Sequence, residues 1–161
     1  MRQTHLEEAI LAHAHLEKAD LDAAHLEGAD MRQAYLDDAN LASAILNNRG
    51  PMSKSANLEG AHFTRATLVA DLRHAYLRKA HLEEANLSFA WLESANLTDA
   101  DLKRAILRNA HLDKATLTGA LLHWADLTEA HGLTQEQLDQ ARGNSDTKLP
   151  SGLRRPPNWI S

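Results

Sequence analysis

A leucine stands at every fifth position through most of this 161-residue chain, and an alanine sits two residues before almost every one. The series opens with Leu6, Leu11, Leu16, Leu21 and Leu26 and runs, with two slips, to Leu127. Of 24 central positions, 22 are Leu and the others are Met31 and Phe63; Ala precedes 23 of them, Thr4 being the exception. An ordinary globular core imposes no such rule, so the repeat decides the fold ahead of composition.

Composition alone points the wrong way. Ala, Leu, Glu, Lys and Arg are abundant and all favour helix. A helix, however, turns about 100° per residue, so a five-residue step rotates the side chain by about 140°. Leucines so spaced would walk around the helix and leave no apolar stripe. Coiled coils need periods near 3.5 or 3.67.

Read locally, the unit is Ala-x-Leu-x-x. Ala and Leu are two apart and share one side of an extended segment. The next two residues turn a corner. Four such units close a square, and successive squares stack at about 4.8 Å. The small Ala and larger Leu alternate inward, each buried Leu contributing roughly 1.5–3 kcal/mol. Backbone groups pair between coils, as in other solenoids.

The clearest copies are Ala19-Asp20-Leu21, Ala29-Asp30-Met31, Ala39-Asn40-Leu41, Ala56-Asn57-Leu58, Ala85-Asn86-Leu87, Ala95-Asn96-Leu97, Ala100-Asp101-Leu102 and Ala125-Asp126-Leu127. They resemble the pentapeptide-repeat family, whose motif is Ala-(Asp/Asn)-Leu-x-x, over about residues 4–130. The resemblance implies an all-β fold, a right-handed quadrilateral β-helix. At 20 residues per coil, the rod would be on the order of 30 Å long.

The register slips twice. Between Leu46 and Leu58 the spacing is 12 rather than 10, and residues 47–55 hold strong turn signals around Gly50-Pro51. Either Met52 serves as an inward residue with Gly50 in the place of Ala, or the segment is a surface loop; the turn signals favour the loop. Insertions in a solenoid project from one face and often carry recognition, which makes Arg49, Met52 and Lys54 candidate partner-binding residues. Between Leu68 and Leu72 one residue is missing, and a local kink without function is expected at Ala70.

The β-helical domain is assigned to residues 1–132, and a short capping α-helix with an extended tail to 133–161. Thr134 and Gln137 form a capping box, with Leu133 and Leu138 at the staple positions. Arg142 is expected in the last helical turn and Gly143 at its end. The helix should lay Leu138 and Ala141 over the last coil, since an open solenoid end exposes apolar groups and unpaired edges. Pro150, Pro156 and Pro157 keep the tail from continuing regular structure, while Leu149, Leu153 and Trp159 are expected to pack back. No such cover precedes Thr4. Either the chain is a piece of a longer protein, or a second copy buries that end in a homodimer through the N-terminal coil.

The net charge of −5 is uneven. Residues 1–46 carry nine acids against three bases, whereas residues 47–130 carry ten of each. At 20 residues per coil, Glu7 stacks over Glu27 and Glu17 over Asp37, and these four are the other candidate partner-binding residues. Some bacterial pentapeptide-repeat proteins mimic duplex DNA and bind DNA gyrase or topoisomerase IV, protecting against quinolones. B-DNA carries one charge per about 1.7 Å, so a 30 Å rod would need about 18. Only the first coils approach that density. The quinolone-resistance members also favour a central Phe and a Cys in the unit; here only Phe63 matches, and Cys is absent.

Six histidines, at 5, 15, 25, 62, 81 and 111, lie just before a central residue. His5 and His25 should stack near 5 Å, a distance suited to a shared Zn²⁺. A closed site wants four ligands, though, and the neighbours on this convex face are mostly Glu, so the expectation is an ordinary column with no metal. Tyr35, Tyr76, Trp91 and Trp124 are possible contact spots. No basic stripe points to nucleic acid, because Arg and Lys alternate with Glu and Asp. No glycine-rich phosphate loop or nucleophile elbow is present, and a filled rod offers no catalytic pocket. The chain is therefore read as a non-enzymatic scaffold without cofactor, presenting a surface to a protein partner. Alternatives are a DNA-mimicking topoisomerase regulator and an appendage of a larger signalling or membrane protein. With no apolar run near 18 residues and no visible signal peptide, the expected location is cytoplasmic.

Overall fold

The computed structural model describes residues 4–46 and 56–159. Each repeat contributes one isolated parallel bridge at the residue before the central Leu. The partners fall into four columns, so four repeats make one coil. The first column runs His5, His25, Ile45, Asp71, Trp91, His111, His131, and the second Ile10, Asp30, Asn57, Tyr76, Asn96, Thr116. The third runs His15, Tyr35, His62, His81, Asp101, Leu121, Arg142, and the fourth Asp20, Asn40, Thr67, Asn86, Ile106, Asp126, Lys148.

One repeat shows how the sequence builds the coil. Asn86 N–H donates to Ala66 O at 2.9 Å, and Leu87 N–H donates to Ile106 O at 2.7 Å. Phe89 N–H donates to Arg108 O at 2.9 Å, and Ala90 N–H closes the corner on Leu87 O at 3.1 Å. At every described five-residue corner the second corner residue has positive φ, from 54° at Gln33 to 73° at Gly119. Negative φ followed by positive φ under such a bond is the signature of a type II turn. Nineteen non-glycine residues take that conformation at corners, so packing and inter-coil bonds overrule a local cost of about 1–2 kcal/mol each. The Asn or Asp of the motif has its own reason. Its Oδ1 accepts the N–H two residues on, as in Asn86 to Ser88 at 3.1 Å and Asp101 to Lys103 at 3.1 Å, pre-forming the corner.

Inside, Ala and Leu fill the tube. From Leu21 to Leu127 every central residue is buried, Met31 and Phe63 included. Leu6, Leu11 and Leu16 of the first coil are only partly buried.

The two slips are accommodated at corners. Asp30, Tyr35 and Asn40 pair with Asn57, His62 and Thr67, a separation of 27 residues in place of the usual 20. Leu46 and Leu58 are therefore consecutive central residues of the described ladder. Ala56 N–H reaches Leu46 O at 3.1 Å, the bond of an ordinary corner. Arg49, Met52 and Lys54 lie outside the described residues. At the second slip Ala70 N–H bonds to Leu68 O at 2.8 Å, two residues back instead of three, so the corner is drawn in.

At the C-terminal end α1 spans Gln135–Gln140. Thr134 caps it, with the capping box to Gln137 complete. Leu138 and Ala141 are buried over the last coil as the pattern requires. Two expectations fail. Arg142 is not in the helix: it pairs with Leu121 and extends the third column. Gly143 does not end the helix by a left-handed turn; α1 closes at Ala141 in extended conformation. Gly143 instead makes room for Trp159, whose ring atoms lie 2.4–2.7 Å from where a Cβ would sit. The tail also continues the ladder further than its prolines suggest, since Lys148 pairs with Asp126 in the fourth column. Among the described residues no helix is long and apolar enough to cross a membrane.

Candidate interaction surfaces

Because Ala and Leu occupy the interior, recognition chemistry falls to the four columns and the edges between them. The stacking of the acids is as the 20-residue register implies: Glu8 N–H donates to Glu27 O, and Lys18 N–H to Asp37 O, both at 2.9 Å. The pairs occupy opposite edges, however. Glu7 and Glu27 follow the first column, while Glu17 and Asp37 follow the third.

None of the four stands alone. Glu7, Glu17 and Glu27 each accept from the Nδ1 of the histidine two residues earlier, at 2.9, 2.9 and 3.3 Å. Asp37 Oδ1 accepts the Thr64 amide at 3.0 Å. The hydrogen bonds from His5 and His15, helped by the residues' own amides, hold the Glu7 and Glu17 carboxyls below the usual range. Nearby acids are also neutralised: Asp30 pairs with Arg32 at 2.6 Å and Asp38 with Arg65 at 2.8 Å.

Two of the columns carry ring stacks. His15, Tyr35, His62 and His81 lie face to face at 4.7, 4.8 and 4.4 Å between centroids. In the first column Trp91 stacks on His111 at 4.3 Å and 3°. Sequence reasoning treats these aromatics as separate spots; the usable signal is the 20-residue spacing of His15 from Tyr35 and of Trp91 from His111.

The drawn-in corner at Ala70 lies beside a surface depression. A depression of about 530 Å³ opens there between the fourth and first columns, lined by Ile45, Val69, Asp71, Arg73, Phe89 and Trp91 among others. Phe89 and Trp91 are 60 % and 45 % exposed, unusual for large apolar side chains. Asp71 grips the Arg73 guanidinium at 2.9 and 2.7 Å, and Arg73 lies 5.6 Å from the centre of the Trp91 ring. The deletion seen in the sequence, for which a kink without function is expected, thus lies beside a concave apolar patch with one paired guanidinium on its rim. Phe89 escapes sequence reasoning because it occupies the second corner position, which the repeat motif leaves unspecified.

At the C-terminal end Asp126 joins the last repeats to the tail. Burial opposes its charge. The Thr128 hydroxyl, Arg108, the Thr128 amide and Lys148 more than offset this and hold the carboxyl well below the usual range. Arg108 approaches at 2.7 Å and Lys148 at 3.4 Å.

Comparison with known proteins agrees with this geometry. The family model for pentapeptide repeats matches residues 1–37, 70–99 and 95–131, in eight copies. The crystal structure of the pentapeptide repeat protein Rfr23 from the cyanobacterium Cyanothece 51142 is 31% identical, with a TM-score of 0.65, over 74% of this chain and 90% of that one. The plasmid-mediated fluoroquinolone resistance protein QnrB1 is 18% identical over 91% of this chain and 77% of its own, with a TM-score of 0.42. HetL, a pentapeptide repeat protein involved in heterocyst differentiation regulation in Nostoc sp. strain PCC 7120, is 26% identical over 92% of this chain and 70% of its own, with a TM-score of 0.30. A comparison with curated protein sequences gave no match. The family model covers more than half of the residues, and the four-column ladder is what its repeat builds: this chain belongs to the pentapeptide-repeat family, whose members imply a right-handed β-helix.

Proposed function

We propose that this protein is a non-catalytic, quadrilateral scaffold in the cytoplasm that presents the depression at Ala70 to a protein partner. The observation that carries the reading is the exposure of Phe89 and Trp91 around a concave site with Arg73 at its rim. Aromatic side chains and Arg are the residue types that dominate binding energy at protein interfaces. The solenoid fixes their spacing, so a partner finds them already ordered and little entropy is lost on contact. A non-catalytic role fits an interior filled by Ala and Leu, which leaves chemistry no enclosed cleft. The test is affinity capture from host lysate with wild-type, Trp91→Ala and Trp124→Ala chains. Trp124 is equally exposed but lies away from the depression. A partner retained by Trp124→Ala and lost from Trp91→Ala supports the reading; equal retention by both would overturn it.

A second reading, regulation of DNA gyrase or topoisomerase IV by DNA mimicry, draws on the acidic edges of the first coils. Pairing of Asp30 and Asp38 with arginines lowers the charge those coils can show. A supercoiling assay decides it: absence of both inhibition and drug rescue removes this reading.

A further inference from the structure

We propose that His5, Glu7 and His25 form a surface site for a divalent transition-metal ion, with Zn²⁺ the natural probe. In the sequence His-Leu-Glu the Leu turns inward, which leaves His in the column and Glu at the following corner. The corner brings Glu7 back beside His5, with Nδ1 and Oε1 at 2.9 Å. The 20-residue coil then sets His25 against His5 as its bridge partner, with ring centroids 5.0 Å apart and tilted by 21°. One ligand atom from each of the three residues already lies within 4.8 Å of the other two.

The neighbouring columns show what makes this trio different. His15-Leu16-Glu17 forms the same short pair, but its column neighbour is Tyr35, so no second imidazole is offered. His81 stacks on His62 at 4.4 Å, yet its Glu83 stands off at 3.6 Å. Among the described residues, only His5, Glu7 and His25 bring three such ligand atoms within that distance.

Two imidazoles and one carboxylate suit zinc, copper or nickel rather than calcium or magnesium. Metal–ligand bonds of about 2.0–2.2 Å place tetrahedral ligands about 3.3–3.5 Å apart. The wider separations, up to 4.8 Å, must therefore close, while the His5–Glu7 pair at 2.9 Å opens slightly to admit the ion. His5 and Glu7 are free to do so, their side chains being 65 % and 43 % exposed. His25 is the fixed post: it is more buried, and Glu27 engages its Nδ1 at 3.3 Å, so the ion would be taken by Nε2, with Glu27 then in the position of an outer-shell carboxylate. Water would complete the coordination. The ligands lie on successive coils, so a bound ion also staples the first coil to the second.

The experiment is isothermal titration of ZnCl₂ into the full chain, in a buffer that does not chelate, with His25→Ala, His15→Ala and Tyr35→His variants. All three positions face outward, and circular dichroism verifies that each variant folds. One Zn²⁺ per chain is expected. His25→Ala should weaken binding by at least about 10-fold, and His15→Ala should leave it within about twofold. Tyr35→His places an imidazole over His15–Glu17 and should raise the stoichiometry to two. Hydrogen exchange gives a second readout: Zn²⁺ should slow the Leu6 and His25 amides, which bond across the two coils to His25 O and Thr4 O. No binding, a smaller loss in His25→Ala, an equal loss in His15→Ala, or a stoichiometry that stays at one in folded Tyr35→His would overturn the proposal.

Discussion

Gly143→Ala isolates the contact that holds the tail on the rod. A Cβ at this position would sit 2.4–2.7 Å from three atoms of the Trp159 ring, where ordinary contact begins near 3.4 Å. The ring must retreat by about 1 Å. It cannot do so freely, because Trp159 Nε1 donates to Ala141 O at 3.1 Å in a buried setting. A retreat of that size breaks the bond, which costs about 1–3 kcal/mol for the groups left unpaired. Residual overpacking contributes a similar amount, so the expected loss is about 2–6 kcal/mol. The backbone itself is no obstacle, since φ at Gly143 is not in the left-handed region. Urea unfolding by circular dichroism measures the global effect, and exchange of the Arg142 and Lys148 amides reads the tail locally. The deciding comparison is a double-mutant cycle with Trp159→Ala. Without the indole, Gly143→Ala should be neutral or stabilising by up to about 1 kcal/mol through the unfolded state. A loss of the same size in both backgrounds would refute the reasoning.

Leu97→Ala empties part of a fully buried layer and should cost about 3–5 kcal/mol in urea unfolding. For Asp126 the folded carboxyl lies below its unfolded value, so its contribution is complete above about pH 4 and is lost as pH falls below that. Asp126→Asn should flatten this acid limb in thermal melts from pH 6 to 2, and lower stability near neutrality by about 1–3 kcal/mol. Lys79→Gly relieves a residue held at φ 57°, and the gain against the added entropy of the unfolded chain is roughly 0.5–1 kcal/mol, visible as a higher melting temperature.

Much of the architecture is legible because the five-residue period carries it redundantly. Ala85-Asn86-Leu87 alone states which residues turn inward, where the bridge lies and how the corner forms. The first of the two breaks, after Leu46, is harder. Spacing alone does not give the pairing across it, which the ladder supplies by setting Asp30 against Asn57. Arg142 and Gly143 follow helix-ending rules on paper, yet the unsatisfied edge of the last coil captures Arg142 first. The acidic stacks follow from the register. Their placement on opposite edges follows too, though it becomes apparent only once the four columns are drawn. The depression could not be foreseen, since it lies at a missing residue and beside Phe89, at a position the repeat motif leaves unspecified.

The columns stay aligned on either side of the two slips: Asp30 meets Asn57 and Ile45 meets Asp71 across the first, and Asp71 still meets Trp91 beyond the shortened corner at Ala70. Length is thus absorbed at the bends and never transmitted along the axis. Such a rod can lengthen or trim a bend without rebuilding its centre, so foreign peptides spliced between Leu102 and Ala105 should be displayed outward on an otherwise undisturbed support.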